Sequence, residues 1–120
     1  MLKYKRGADV GELEHWPFTR GASNYEIIRG APAASGRVDD SGPTWRVGIW
    51  RCTAGAFDCN EAGDELQTIL SGRVRIVRAD GSEHEFGPGD TIFTYQGERV
   101  RWDVIEDVTK VFFSRNPDGF

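Results

Sequence analysis

From Thr44 onward, turn residues cut the chain into short runs, and that punctuation constrains the fold more than any other feature. The interruptions are Ser71-Gly72, Ala79-Asp80-Gly81, Gly87-Pro88-Gly89-Asp90, Gln96-Gly97 and Glu106-Asp107. Between them lie candidate strands at residues 45–53, 65–70, 73–78, 82–86, 91–95, 99–104 and 109–114. Short strands separated by turn residues at spacings of roughly 8–12 residues indicate an all-β sandwich or barrel. No helical period competes. Asp80-Gly81 between R-V-R-I-V-R and S-E-H-E-F is a strong hairpin signal. Alternation then sets the register. Val74 and Ile76 face inward with Arg73 and Arg75 toward water, and Val100, Trp102 and Val104 face inward with Arg99, Arg101 and Asp103 outward.

Residues 1–44 have a different texture. A short strand is expected at Y-E-I-I-R, followed by A-P-A-A-S-G-R-V-D-D-S-G-P-T, whose Pro, Gly, Ser and Asp favour loop. The expectation is one domain, with an N-terminal arm over 1–44 and a barrel over 45–120. The arm's strand covers a sheet edge in its own subunit or in a partner's, which removes an exposed edge.

At 120 residues, one core suffices without metal or disulfide staples. Lys+Arg 15 against Asp+Glu 19 gives a net charge of -4, and the basic residues are scattered. Both facts argue against a nucleic-acid partner. No apolar run approaches the roughly 20 residues that span a bilayer, so no membrane partner is expected. M-L-K-Y-K-R-G-A-D-V lacks the apolar region of a signal peptide. Cys52 and Cys59 are too few for a disulfide framework. A cytoplasmic chain with free thiols is the expectation.

Chemistry is concentrated in residues 55–72, G-A-F-D-C-N-E-A-G-D-E-L-Q-T-I-L-S-G. In extended chain Cys59 and Glu61 share a face, as do Glu65, Gln67 and Ile69. Two polar groups beside an inward isoleucine imply a cavity, because unpaired burial of polar groups costs several kcal/mol.

These residues carry a resemblance. G-D-E-L-Q-T-I-L-S-G-R-V-R-I followed by D-G-S-E-H-E-F-G-P-G-D-T-I-F-T-Y-Q-G-E-R-V-R-W resembles the two motifs of the cupin superfamily, G-x5-H-x-H-x3/4-E-x6-G and G-x5-P-x-G-x2-H-x3-N. The chain is more narrowly similar to the small single-domain cupins grouped with (S)-ureidoglycine aminohydrolase. The resemblance implies a double-stranded β-helix, a jelly-roll barrel of two antiparallel sheets, and a homodimer. It places Glu65 on the glutamate ligand position, with Glu61 on the second histidine and Cys59 on the first. In motif 2, Tyr95 falls on the proline and Val100 on the histidine. Both motif 1 histidines are replaced and the fourth ligand is aliphatic, so the aminohydrolase's manganese chemistry does not carry over.

Three functions stay open. The first is a binder of a small polar metabolite, with a pocket of Glu65, Gln67, Tyr95, Val100 and Trp102. The second is a metal-dependent enzyme on a small nitrogen-containing or carboxylic acid substrate. One divalent ion would be held there by Cys59, Glu61 and Glu65, with Gln67 in reserve, and Glu65 would be the catalytic acid–base. The third is a structural dimeric subunit with a closed pocket. Against the metal, Glu61 could be a solvated loop residue, Cys59 a small buried hydrophobe, and Glu65 an acid held by Gln67, an Arg or a Tyr. His84 reads as a surface strand residue. Phe93 and Phe113 read as core, and Trp50 and Trp102 as candidate cavity wall.

Overall fold

The computed structural model describes residues 1–19 and 21–120. Its strands in chain order are β1 (Glu14–His15), β2 (Glu26–Arg29), β3 (Ala34–Ser41), β4 (Trp45–Cys52), β5 (Gly55–Asn60), β6 (Asp64–Arg78), β7 (Glu83–Phe86), β8 (Thr91–Thr94) and β9 (Arg99–Arg115). All their pairings are antiparallel. There is no helix among the described residues.

Two long strands organise the sheet. β6 and β9 pair along most of their lengths and divide it into two leaves. In the first, the N-terminal half of β6 and the C-terminal half of β9 are flanked by β4, β3 and β1 on one side and β8 on the other. In the second, the remaining halves are flanked by β5 and β2 on one side and by β7 on the other. This curled antiparallel sheet is the all-β barrel expected from the punctuation, in the form that the cupin resemblance implies.

The expected register also holds at the core. Val74, Ile76, Val100, Trp102 and Val104 are all buried. Together with Phe57 and Ile69 they fill the space between the leaves, each contributing about 1.5–3 kcal/mol by leaving water.

Several boundaries differ from the sequence reading. Ser71-Gly72 does not end a strand. β6 runs through it, with register shifts between Ile69 and Val74 that absorb the extra residues as a bulge. Gly72 is at φ +84°, and a Cβ there would lie 2.1 Å from the Asp107 carbonyl oxygen. The glycine therefore serves two needs, a left-handed backbone and a close strand crossing. Glu106-Asp107 is likewise interior to β9. The Pro/Gly/Ser/Asp-rich stretch read as loop contains the eight-residue β3, held by β4 on one side and β1 on the other. Tertiary pairing outweighs local composition there.

Phe93 and Phe113 are not core. They pair with Leu66 on either side, and all three are about half exposed. They form an outer apolar row, because the opposite parity of the same strands points into the cavity.

Candidate functional site

The inward face of the first leaf is laid out in rows by the pairing register. One row runs Arg46, Ser114, Glu65, Thr94 across β4, β9, β6 and β8. Another, farther along, runs Trp50, Lys110, Ile69. A lysine thus stands in an apolar strand beside a tryptophan, only 5% exposed. Its ammonium donates to Glu65 Oε2 at 3.0 Å and to Gln67 Oε1. It also lies over two indole rings, 4.7 Å from the centre of Trp50 and 4.2 Å from that of Trp102. A charge out of water persists only when it is paired and hydrogen-bonded, and Lys110 meets both conditions.

Glu61 follows the end of β5 and is buried, not solvated. Trp102 Nε1 donates to its Oε1 at 3.0 Å, Thr94 Oγ1 donates to its Oε2 at 3.2 Å, and the Cys59 thiol lies 3.6 Å from Oε1. Gln67 Nε2 in turn donates to Thr94 Oγ1 at 3.1 Å. A continuous hydrogen-bond chain therefore runs from Lys110 through Gln67 and Thr94 to Glu61. Burial, followed by the nearby Glu65 charge, raises the Glu61 pKa above the usual carboxylate range; Lys110, Trp102 and Thr94 offset part of the rise. The Cys59 thiol is also pushed up, first by burial and then by Glu61.

These groups border a cavity of about 410 Å³. Its walls are largely aromatic: Trp50, Trp102 and Phe112 come from the barrel, and Trp16, Phe18 and Tyr25 from the N-terminal segment. The Trp16 ring lies directly on Gly36, where a Cβ would sit 2.3 Å from it. Phe18 packs against Tyr25 and Phe57 with ring centres 4.9 and 4.6 Å away. The N-terminal residues are thus part of the cavity wall.

The sequence-derived site residues are distributed unevenly. Cys59, Glu61, Glu65 and Trp102 border the cavity. Gln67 lies behind it, bound to Lys110 and Thr94. Val100 is packed in the core, paired with Cys59, and does not reach the cavity. Tyr95 is 63% exposed, outside the cavity and packed edge-on against Phe93. It follows β8 into the Gln96-Gly97 turn, where a side chain leaves the barrel.

A divalent ion does not fit the Cys59, Glu61 and Glu65 set. Among the described residues no three His, Cys, Asp or Glu side chains are grouped to hold one. The Glu61 oxygens are already taken by the Trp102 indole N–H and the Thr94 hydroxyl. Glu65 already has a cation, the ammonium of Lys110. Lys110 was not singled out from the sequence, although its parity with the buried Val108 and Phe112 is a signal. Arg46 and Trp16 carried no comparable sign.

Comparison with known proteins agrees with this architecture. Residues 41–112 match the EutQ-like cupin domain, Cupin_3. No curated protein matches the sequence. Among solved structures, the EutQ protein of Clostridium difficile superposes with a TM-score of 0.66 at 18% identity, over 73% of this chain and 71% of that one. A DUF861 family protein from Thermotoga maritima has a TM-score of 0.51 at 33% identity, over 53% of this chain and 73% of that one. A protein of unknown function from Pseudomonas syringae, of the DUF861 family, has a TM-score of 0.69 at 23% identity, over 87% of this chain but 44% of its own. With a matched region that covers more than half of the chain, including all of β6 and β9 as far as Phe112, this chain belongs to the family of EutQ-like cupin domains.

Proposed function

We propose that this chain is a small-molecule-binding cupin whose pocket is built around an internal ammonium. The supporting observation is the pairing of the 410 Å³ aromatic cavity with the buried Lys110–Glu65 pair at its wall. The volume lies within the roughly 300–1,000 Å³ of small-molecule sites, and apolar walls with a few fixed polar groups are their usual construction. An open cavity also speaks against the purely structural reading. Buried free thiols at Cys52 and Cys59 suit a reducing, cytoplasmic setting. The outer row of Leu66, Phe93 and Phe113 supports a homodimer, which sedimentation of wild type against Phe113→Asp tests; equal mass for the two discards it.

The direct test is a thermal-shift screen of small metabolites, run beside elemental analysis after incubation with manganese, iron, nickel and zinc. A bound ligand at a hundredfold excess over Kd adds about 2.7 kcal/mol of stability. A screen with no response would remove the binding reading. One tightly held metal per chain, lost in Glu65→Gln, would replace it with the metalloenzyme.

A further inference from the structure

We propose that the cavity takes a small monocarboxylate with a flat apolar body, and that the Arg46 guanidinium is the seat of its carboxylate; this rests on the small-molecule reading above. The argument begins with a charge that has no partner. Four acidic or basic side chains border the cavity, Arg46, Glu61, Glu65 and Lys110, beside the Cys59 thiol and the Tyr25 phenol. Lys110 and Glu65 neutralise one another at 3.0 Å. Glu61 takes its hydrogen bonds from Trp102 and Thr94, and it makes no ion pair with Arg46. Arg46 is left over. Among the described residues its side chain forms no ion pair and no hydrogen bond, and its buried Nε has no partner. Glu65 is near enough to be felt electrostatically, yet it is not within ion-pair distance.

A buried unpaired donor is costly, which makes Arg46 unusual in a protein whose other buried polar atoms are almost all satisfied. The guanidinium is also oriented. It lies 4.2 Å from the centre of the Phe120 ring and 5.8 Å from that of Phe112. The Nη edge of the guanidinium, which makes no side-chain hydrogen bond among the described residues, is left for a ligand. That edge matches a carboxylate in two parallel hydrogen bonds.

The charge count selects among anions. One unpaired cation suits a monoanion, whereas a phosphate monoester would bring a second negative charge toward Glu65. The walls select the rest of the ligand. Trp16, Phe18, Tyr25, Trp50 and Phe57 offer ring faces and edges to a planar body.

The test is calorimetric titration of the full chain with benzoate, phenylacetate and indole-3-acetate, each against its neutral amide, and with phenyl phosphate. The expected result is saturable binding of at least one acid, at least tenfold tighter than its amide and tighter than phenyl phosphate. Arg46→Gln should remove that preference and leave acid and amide equal. Arg46→Lys, which keeps the charge but loses the fork, should fall between, and it remains informative if Arg46→Gln fails to fold. Amides that bind as tightly as acids, a preference that survives Arg46→Gln, or tighter binding of phenyl phosphate would each overturn the assignment. If the metabolite screen yields only neutral or cationic ligands, the small-molecule reading stands and the carboxylate falls. If neither panel nor screen binds, both fall.

Discussion

Replacing Lys110 by methionine isolates the central electrostatic claim, because the change keeps the length and apolar stem while deleting the ammonium. At 3.0 Å and an effective dielectric of about 20, the attraction between Lys110 and Glu65 is about 5 kcal/mol before desolvation. Two indole rings and the Gln67 oxygen add to it. Loss of one member of a buried pair costs about 3–5 kcal/mol, chiefly because the other charge is stranded. The Glu65 side chain retains 16% exposure toward the cavity, so water can relieve part of that cost and a loss of about 3 kcal/mol is expected. For a domain of this size that corresponds to a fall in Tm on the order of 10 °C. Urea unfolding at pH 7 of wild type, Lys110→Met, Glu65→Gln and the double variant measures it. The double variant should recover most of the loss, giving a coupling of about 2 kcal/mol or more. A cost below about 1 kcal/mol for Lys110→Met, or a double variant no better than the single, would refute the pairing as the organising contact of the site.

Other consequences are independent of ligand. The folded-state pKa of Glu61 is raised from an ordinary value of 4.5, so its burial is uncostly below that pH and destabilises progressively as pH rises through the folded value. Glu61→Gln should therefore gain on wild type in melting temperature between pH 4 and pH 8; parallel curves would contradict the raised pKa. Burial pushes the Cys52 thiol up to about 12 and raises Cys59 as well, so neither should react with an aromatic disulfide reagent in native protein at pH 8. Fast release of even one equivalent would show that a thiolate is accessible. Gly72→Ala combines a backbone at φ +84° with a Cβ 2.1 Å from the Asp107 carbonyl oxygen, and should cost at least about 3 kcal/mol in urea unfolding. A near-neutral result would mean that the β6 and β9 crossing can shift.

What the sequence made legible was whatever alternation and turns encode locally. Val74, Ile76, Val100 and Trp102 went inward as read because parity alone decides them. Gly72 marks a turn in the sequence but lies inside β6 in the structure. A left-handed glycine serves a turn and a bulge equally, and only the pairing with β9 distinguishes them. β3 was obscured by its Pro/Gly/Ser/Asp-rich composition, since its strand state depends on β4 and β1 and not on its own propensity.

At the site, too, the decisive partner is distant in sequence. Cys59, Glu61 and Glu65 sit close together in sequence, and acids at motif positions invite a divalent ion. Two carboxylates facing one cavity do need a cation, or a proton, for their charges to be tolerated. That requirement is local, but its answer is not. The cation comes from Lys110, which reaches Glu65 only because β6 and β9 run antiparallel along the whole barrel, and the proton is favoured on Glu61 by burial beneath Trp102. Once both acids are satisfied internally, the unsatisfied charge of the pocket is of the opposite sign, at Arg46 in the same row of the sheet as Glu65. A stretch that reads as a seat for a cation therefore belongs to a cavity whose free valence calls for an anion.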